Sequence, residues 1–426
     1  MGLKEFKQGS VVAANKKISF MGVFIPVNVA LGATQPLLPL LVLQVGGNVA
    51  DVGLISSAYS LLSVFSSRFW GSVSDRVGKR KPFIVLGFAS TGFILTLFSF
   101  ASKVWQLILL NALMGFLTTA YIPSASMLII EGSSKKEWTS RLSVYNLFNG
   151  VGWSLGLAVG ALWLTFGSLK TLLWVLALFS IAGAVMSTHV IKEPFITIER
   201  YAITSFALEI VDHIRYIPTL MFNLPRLFNP FRWSKMIKLA LVRDLPLFYS
   251  STIVFFTAFS IFFTPIPTYL KSLGILSSTI FLLFLIHNFT ATSTFIIVNK
   301  LSLKVSEKSL IELGIFVRLM AFFAFSMASV TGFFIGNEWS IATIMIFTGI
   351  SWAFFWAPSS SLLSKIADQS RLGEAQGNLN AIVGVGSILG SLISGYLVIT
   401  LGYQLNFLLS ALMMVIGFVL FINYIY

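Results

Sequence analysis

The sequence predicts an all-α membrane protein with twelve transmembrane helices in two pseudo-symmetric six-helix bundles. Three observations carry that prediction. The chain has 426 residues, 56% of them hydrophobic and 10% charged, with a mean hydropathy of +0.88. A soluble domain of this size has no use for so much apolar surface. The apolar residues gather into twelve stretches of ~20 residues or more, the length a bilayer demands. Finally, short motifs of the first half return in the second half in the same order.

The first-half spans are 18–44, 51–70, 82–101, 104–131, 140–166 and 169–190. Those of the second half are 246–270, 277–299, 309–335, 339–364, 372–400 and 402–424. The segment Met1–Lys17 is polar and basic, has no cleavable-signal pattern, and is expected to stay inside. The net charge of +14 is not a nucleic-acid footprint, because the basic residues crowd into loops on one side. Outer loops carry only Lys103, Lys170 and Lys271 of the 29 lysines and arginines, and inner segments carry most of the rest. The positive-inside rule therefore makes both termini cytoplasmic. The expected location is the plasma membrane.

The halves read as copies. Pro39 and Gly46 in span one match Pro267 and Gly274 in span seven. Tyr121–Ser126 in span four matches Trp356–Ser361 in span ten, and Gly150–Gly156 in span five matches Gly384–Gly390 in span eleven. The offset is nearly constant, about 228 to 235 residues, which argues for a duplicated six-helix unit. The expected domains are 1–190, a cytoplasmic amphipathic linker at 191–243, and 244–426. The linker mixes Arg226, Arg232, Trp233, Lys235 and Lys238 with Phe228 and Phe231, a combination suited to an anionic inner leaflet. The stripes Gly152/Gly156/Gly160 and Gly386/Gly390/Ser394 allow close helix approach and are expected to form sliding surfaces between the halves.

Between spans two and three lies a charged hairpin, Gly71-Ser-Val-Ser-Asp75-Arg76-Val-Gly78-Lys-Arg80-Lys-Pro82. Gly71 is expected to let the first helix end close against a neighbour, Gly78 to make the turn, and Pro82 to open the next helix. This order of residues closely resembles the signature loop of the major facilitator superfamily. The resemblance implies alternating access by two rocking halves. It also implies a cytoplasmic gate built on Gly71, Asp75, Arg76, Gly78 and Arg80, with Asp75 meeting the start of span eleven near Leu372–Glu374. The second copy, Asn299–Lys308, has Leu303 in place of the acid. Two patterns of the superfamily's proton antiporters are missing. Asn111-Ala-Leu-Met-Gly115 stands where span four would carry an arginine, and Leu157 follows Gly156 where a proline is expected.

The resemblance further implies that spans one, four, seven and ten line the substrate path. The candidate substrate-binding residues are Asn28, Gln35, Asn111, Asn146, Asn149, His287, Trp352, Trp356 and Asn380. Thr118, Thr257 and Thr264 lie on the same lining helices. Uncharged hydrogen-bonding groups among aromatics suit a small neutral or amphipathic organic solute. No Asp or Glu falls in the middle of a span, so the usual intramembrane proton relay is missing. His287 is the one titratable group placed to shuttle a proton. Arg318 is expected to snorkel towards the inner interface.

Other chemistries find no residues. The chain has no cysteine, which removes thiol catalysis and zinc-thiolate sites. His189, His213 and His287 form no metal pattern, and no phosphate loop is present. No cofactor and no enzymatic activity are expected. The expected partners are a small-molecule substrate and lipid, not nucleic acid, with the protein a monomer. The reading is a secondary-active or facilitative transporter. Its alternatives are a proton-coupled carrier using His287 and a non-transporting membrane sensor on the same fold.

Overall fold

The computed structural model describes residues 20–131, 138–191, 246–334, 336–366 and 372–423. All the described regular structure is helical. Ten described segments are long and apolar enough to cross a membrane. One of them, Leu379–Ile422, belongs to a helix broken at Gly402 (φ 83°, ψ 169°) and counts as two spans. The helix Trp138–Trp163, whose apolar residues are diluted by Asn146, Asn149, Ser154 and several glycines, makes the twelfth.

Span one is a 3-10 turn Phe20–Phe24 followed by the α-helix Ile25–Gln44. Spans two and three are Val49–Val77 and Lys81–Phe100. Span four is Val104–Thr118 continued by Tyr121–Glu131. Spans five and six are Trp138–Trp163 and Leu169–Val190. Span seven is Pro246–Phe263 continued by Ile266–Ser272. Spans eight, nine and ten are Ser277–Leu301, Glu307–Val330 and Glu338–Ile366. Spans eleven and twelve share Leu372–Ile422.

The end of span two differs from expectation. The helix continues through Asp75 to Val77 and stops at Gly78, which adopts φ 65° and donates its N–H to the Ser74 carbonyl. The hairpin is therefore a tight turn, and Asp75 and Arg76 lie on the last helical turn rather than in a loop. Gly71 lies inside the helix and is not needed for close approach. A methyl group there would meet Pro123 Cβ at 3.9 Å, an ordinary contact.

The duplication is visible in backbone detail. Gly46 (φ 86°) and Gly274 (φ 81°) stand 228 residues apart. Each donates to the carbonyl three residues earlier, Leu43 and Lys271, and the following residues, Gly47 and Ile275, donate to Val42 and Leu270. Every partner is displaced by the same 228 positions.

The glycine stripes do not lie where expected. A Cβ on Gly152 would meet the Ile25 carbonyl at 2.9 Å, and one on Gly386 the Ile253 carbonyl at 2.8 Å. Gly156 faces the Val29 carbonyl and Gly390 the Thr257 carbonyl in the same way. Ser394 donates to the Ile261 carbonyl at 3.0 Å. The stripes thus clamp span five to span one, and span eleven to span seven, within each half. Of the stripe residues, Gly160 reaches across, against Phe281 of span eight.

The halves meet along two other seams, span two against span eleven and span five against span eight. In the first, Gly53 packs on the Ser391 carbonyl and Gly395 on Ala50, and Ser57 Oγ donates to the Ile388 carbonyl at 3.2 Å. In the second, Asn288 Nδ2 donates to Ser154 Oγ at 2.9 Å and to the Gly150 carbonyl at 3.2 Å. The two seams are copies. Gly384 stands over Val64 and Gly150 over Thr292, pairs whose members are displaced by 234 and 228 positions. The predicted linker 191–243 lies, apart from Ile191, outside the described residues. So does its proposed contact with the inner leaflet.

Candidate functional site

Where spans one and five pack, the first half holds an amide network. Asn28 is buried (2% exposed). Its Nδ2 donates to the Phe24 carbonyl at 2.8 Å and to Asn149 Oδ1 at 2.9 Å. Its Oδ1 accepts from Trp153 Nε1 at 3.1 Å. Phe24 is the N-cap of the helix Ile25–Gln44, which sets its carbonyl one turn before Asn28. Asn28 and Asn149 are thus brought together as expected, with Asn149 and Trp153 only partly buried.

Asn111 is not part of that group. Its Nδ2 donates to the Ile55 carbonyl of span two at 2.9 Å, and its Oδ1 is buried without a partner. Thr118 pairs with Thr91 of span three at 2.8 Å. Thr257 bonds its own helix at the Ile253 carbonyl, and Thr264 donates to Ser391 Oγ at 3.2 Å. Asn111, Thr118 and Thr264 thus join spans inside one half, and Thr257 stays within its own helix. Gln35 is partly buried and makes no side-chain hydrogen bond among the described residues. Asn146 and Asn380 are exposed.

The second half holds an aromatic cluster where the first has amides. Phe256 stands at the position equivalent to Asn28 and meets the edges of Trp352 and Trp356 at 6.0 and 6.1 Å. Trp352 and Trp356 stack at 5.5 Å with planes 7° apart, one turn apart on span ten. Both are partly buried. Phe259 completes the wall, 5.4 Å from Trp352.

Behind this wall lies Arg318. It does not snorkel; its exposure is 0%. The expectation failed because the side chain leaves span nine on the face turned towards spans seven and ten, and polar acceptors wait there. Nε donates to Ser351 Oγ at 2.8 Å and Nη2 to the Thr348 carbonyl at 3.0 Å. The guanidinium lies over Phe255, Phe259 and Trp352 at 5.0, 5.1 and 5.5 Å. Nη1 has no partner. His287 is nearly buried (8% exposed) and shares Thr348, with Nδ1 2.9 Å from its hydroxyl. Its ring also packs 5.1 Å from Phe263.

At the Gly78 end, Arg80 is buried and donates from Nη1 to Ser74 Oγ at 3.0 Å. It ties the turn back onto span two. The side chains of Asp75, Arg76 and Leu372–Glu374 lie outside the described residues, as does the contact expected between them. At the opposite end a groove of about 710 Å³ is lined by Leu40, Gln44, Leu164, Ser168, Lys271 and Ser278.

The arrangement is two bundles with mid-depth polar and aromatic groups, some of them partly buried, near the seams that join them. The sequence model of the Major Facilitator Superfamily matches residues 18–349 and 317–426. The chain belongs to the Major Facilitator Superfamily. That is a family of transporters, not enzymes. Among its relatives, the multidrug resistance protein MdtG of Rahnella sp. (strain Y9602) is 27% identical over 191 residues, 44% of this chain and 46% of the relative. MdtG of Escherichia coli O1:K1 / APEC is 32% identical over 120 residues, 27% and 29% of the two chains. The chain thus spans less than half the length of these relatives. Solved structures share the fold end to end. A mutant of the nucleoside transporter NupG superposes with a TM-score of 0.74 at 14% identity, covering 96% of this chain and 100% of its own. The D-xylose-proton symporter superposes at 0.70 and 14%, with 98% of each chain covered. Asn288, Ser57, Ser351 and Thr348 were not among the sequence candidates. Small residues four apart, Gly53/Ser57 on span two, Gly150/Ser154 on span five and Ser391/Gly395 on span eleven, are the pattern that could have pointed to the seams.

Proposed function

We propose that this superfamily member moves a small organic solute across the plasma membrane by alternating access, with the solute held at mid-depth between the halves. The observation that carries the reading is the pairing of two repeat-related bundles through matching seams, with Asn149, Trp352 and Trp356 left partly buried at mid-depth. Polar and aromatic groups that are incompletely packed inside a membrane bundle suit a solute-filled path. The relatives are named for multidrug resistance. The structural neighbours are named for nucleosides and for D-xylose with protons. The halves are taken as 1–190 and 244–426, joined by a cytoplasmic segment, with both termini inside.

Asp75 is assigned to the inner gate. Its backbone lies on the last turn of span two, at the end that the positive-inside rule puts on the cytoplasmic side. The protein reconstituted in liposomes is expected to take up members of a solute panel saturably, above protein-free vesicles. Imposing a pH gradient separates facilitation from proton coupling through His287. Asp75→Asn is expected to lower uptake with normal insertion. Uptake indistinguishable from empty vesicles across the panel would overturn the transport reading, and unchanged uptake by Asp75→Asn would overturn the gate.

A further inference from the structure

Arg318 is a complete positive charge in the middle of the second half. It lies eleven residues from Glu307, ~16 Å along the helix at 1.5 Å per residue, about half the ~30 Å apolar thickness. Guanidinium stays protonated in proteins. Among the described residues no carboxylate pairs with it. Two acceptors, Ser351 Oγ and the Thr348 carbonyl, and three aromatic faces offset part of the burial. One nitrogen, Nη1, is buried with no hydrogen-bond partner among the described residues. An ionisable group of this kind inside a membrane bundle calls for a partner, and the described residues supply none there.

We infer that the missing partner is the solute, and that Arg318 selects an organic monoanion: a carboxylate carried on an aromatic body. The inference rests on the transport reading above. Charge balance sets the class. A monoanion neutralises the site, a neutral solute leaves one charge uncompensated, and a cation adds a second. The wall in front of Arg318 sets the body. Trp352 and Trp356 present a stacked indole pair, and Phe256 and Phe259 flank it. A planar ring stacks there with its carboxylate turned towards Nη1. Trp352 is partly buried and lies over the guanidinium. Arg rather than Lys fits the task, since its planar fork holds Ser351 and Thr348 while Nη1 remains for the ligand.

The test measures equilibrium binding of three probes of one shape to the full-length purified protein: 2-naphthoate, 2-naphthamide and 2-naphthylmethylammonium. Wild type is expected to bind naphthoate ~10-fold or more tighter than the amide, and the ammonium weakest, the scale of a charge-assisted contact. Arg318→Met is expected to bind naphthoate and amide alike. Arg318→Lys is expected to keep part of the preference. Equal affinity of naphthoate and amide in wild type overturns the inference, and so does a preference that survives in Arg318→Met. Equal affinities are also the result if a buried water occupies Nη1. Should Arg318→Met fail to fold, wild type and Arg318→Lys decide the matter alone. Uptake of the same probes into proteoliposomes is read separately. Selective naphthoate binding without uptake of any probe leaves Arg318 as the anion site and removes the transport reading. Uptake with no anion preference does the reverse.

Discussion

At the scale of single residues, the site depends on buried polar groups that are satisfied by few partners. Asn28 gathers the Phe24 carbonyl, Asn149 and Trp153. Asn28→Ala strands an indole N–H and an amide at mid-depth, where unmade hydrogen bonds cost about 1–3 kcal/mol each. The thermal midpoint of the purified protein is expected to fall, and an unchanged midpoint would show the network to be incidental. Ser351→Ala removes the acceptor of Arg318 Nε at 2.8 Å. It is expected to lower the midpoint by more than Arg318→Met does, because removing one partner leaves a buried charge while an apolar replacement removes the charge itself. These residues also mark what the sequence could convey. Asn28 was legible as a polar group on an apolar helix, and Asn149 likewise. The burial of Arg318 was not, because position along a helix does not say which face meets acceptors such as Ser351 on another span.

At the scale of elements, glycines decide which helices can touch. Gly156 and Gly390 sit directly on carbonyls of Val29 and Thr257, and backbone cannot yield as a side-chain tip can. Gly156→Leu or Gly390→Leu is expected to cost at least ~1–3 kcal/mol by overpacking, read as loss of monodisperse protein on size exclusion. Gly71→Ala, with open contact to Pro123, is expected to stay within about 0.5 kcal/mol of wild type. Gly46→Ala and Gly274→Ala force an L side chain to positive φ at matching turns. Each is expected to lose about 1–2 kcal/mol, and a difference between them would measure how far the copies have diverged. The stripes themselves were readable from small residues four apart. Their partners were not, since spacing shows that a close approach exists but not to which helix. The seam surfaces lie instead at Gly53, Ser57, Gly150 and Asn288, where the small-residue pattern is shorter.

At the scale of the whole molecule, length, hydropathy and the repeats at a near-constant offset were enough for twelve helices in two copies. The duplicated turns at Gly46 and Gly274 bear this out in the backbone. The asymmetry between the halves is the part with functional content. One copy carries amides around Asn28, and the other carries Phe256, stacked tryptophans and a buried cation. Under the proposed alternating access, a shared fold with unlike halves would offer a solute different chemistry from each side.

The central claim is that the halves move against each other along the two seams. A chain without cysteines allows those seams to be locked selectively. A Cβ on Gly384 would lie 3.6 Å from Val64 Cβ, and one on Gly150 3.7 Å from Thr292 Cβ, both suited to a disulfide. The most direct measurement is uptake by the quadruple variant Val64→Cys/Gly384→Cys/Gly150→Cys/Thr292→Cys, oxidised and then reduced. Alternating access predicts that transport stops when both bridges form and returns on reduction. Transport at the reduced rate with both bridges intact would contradict it.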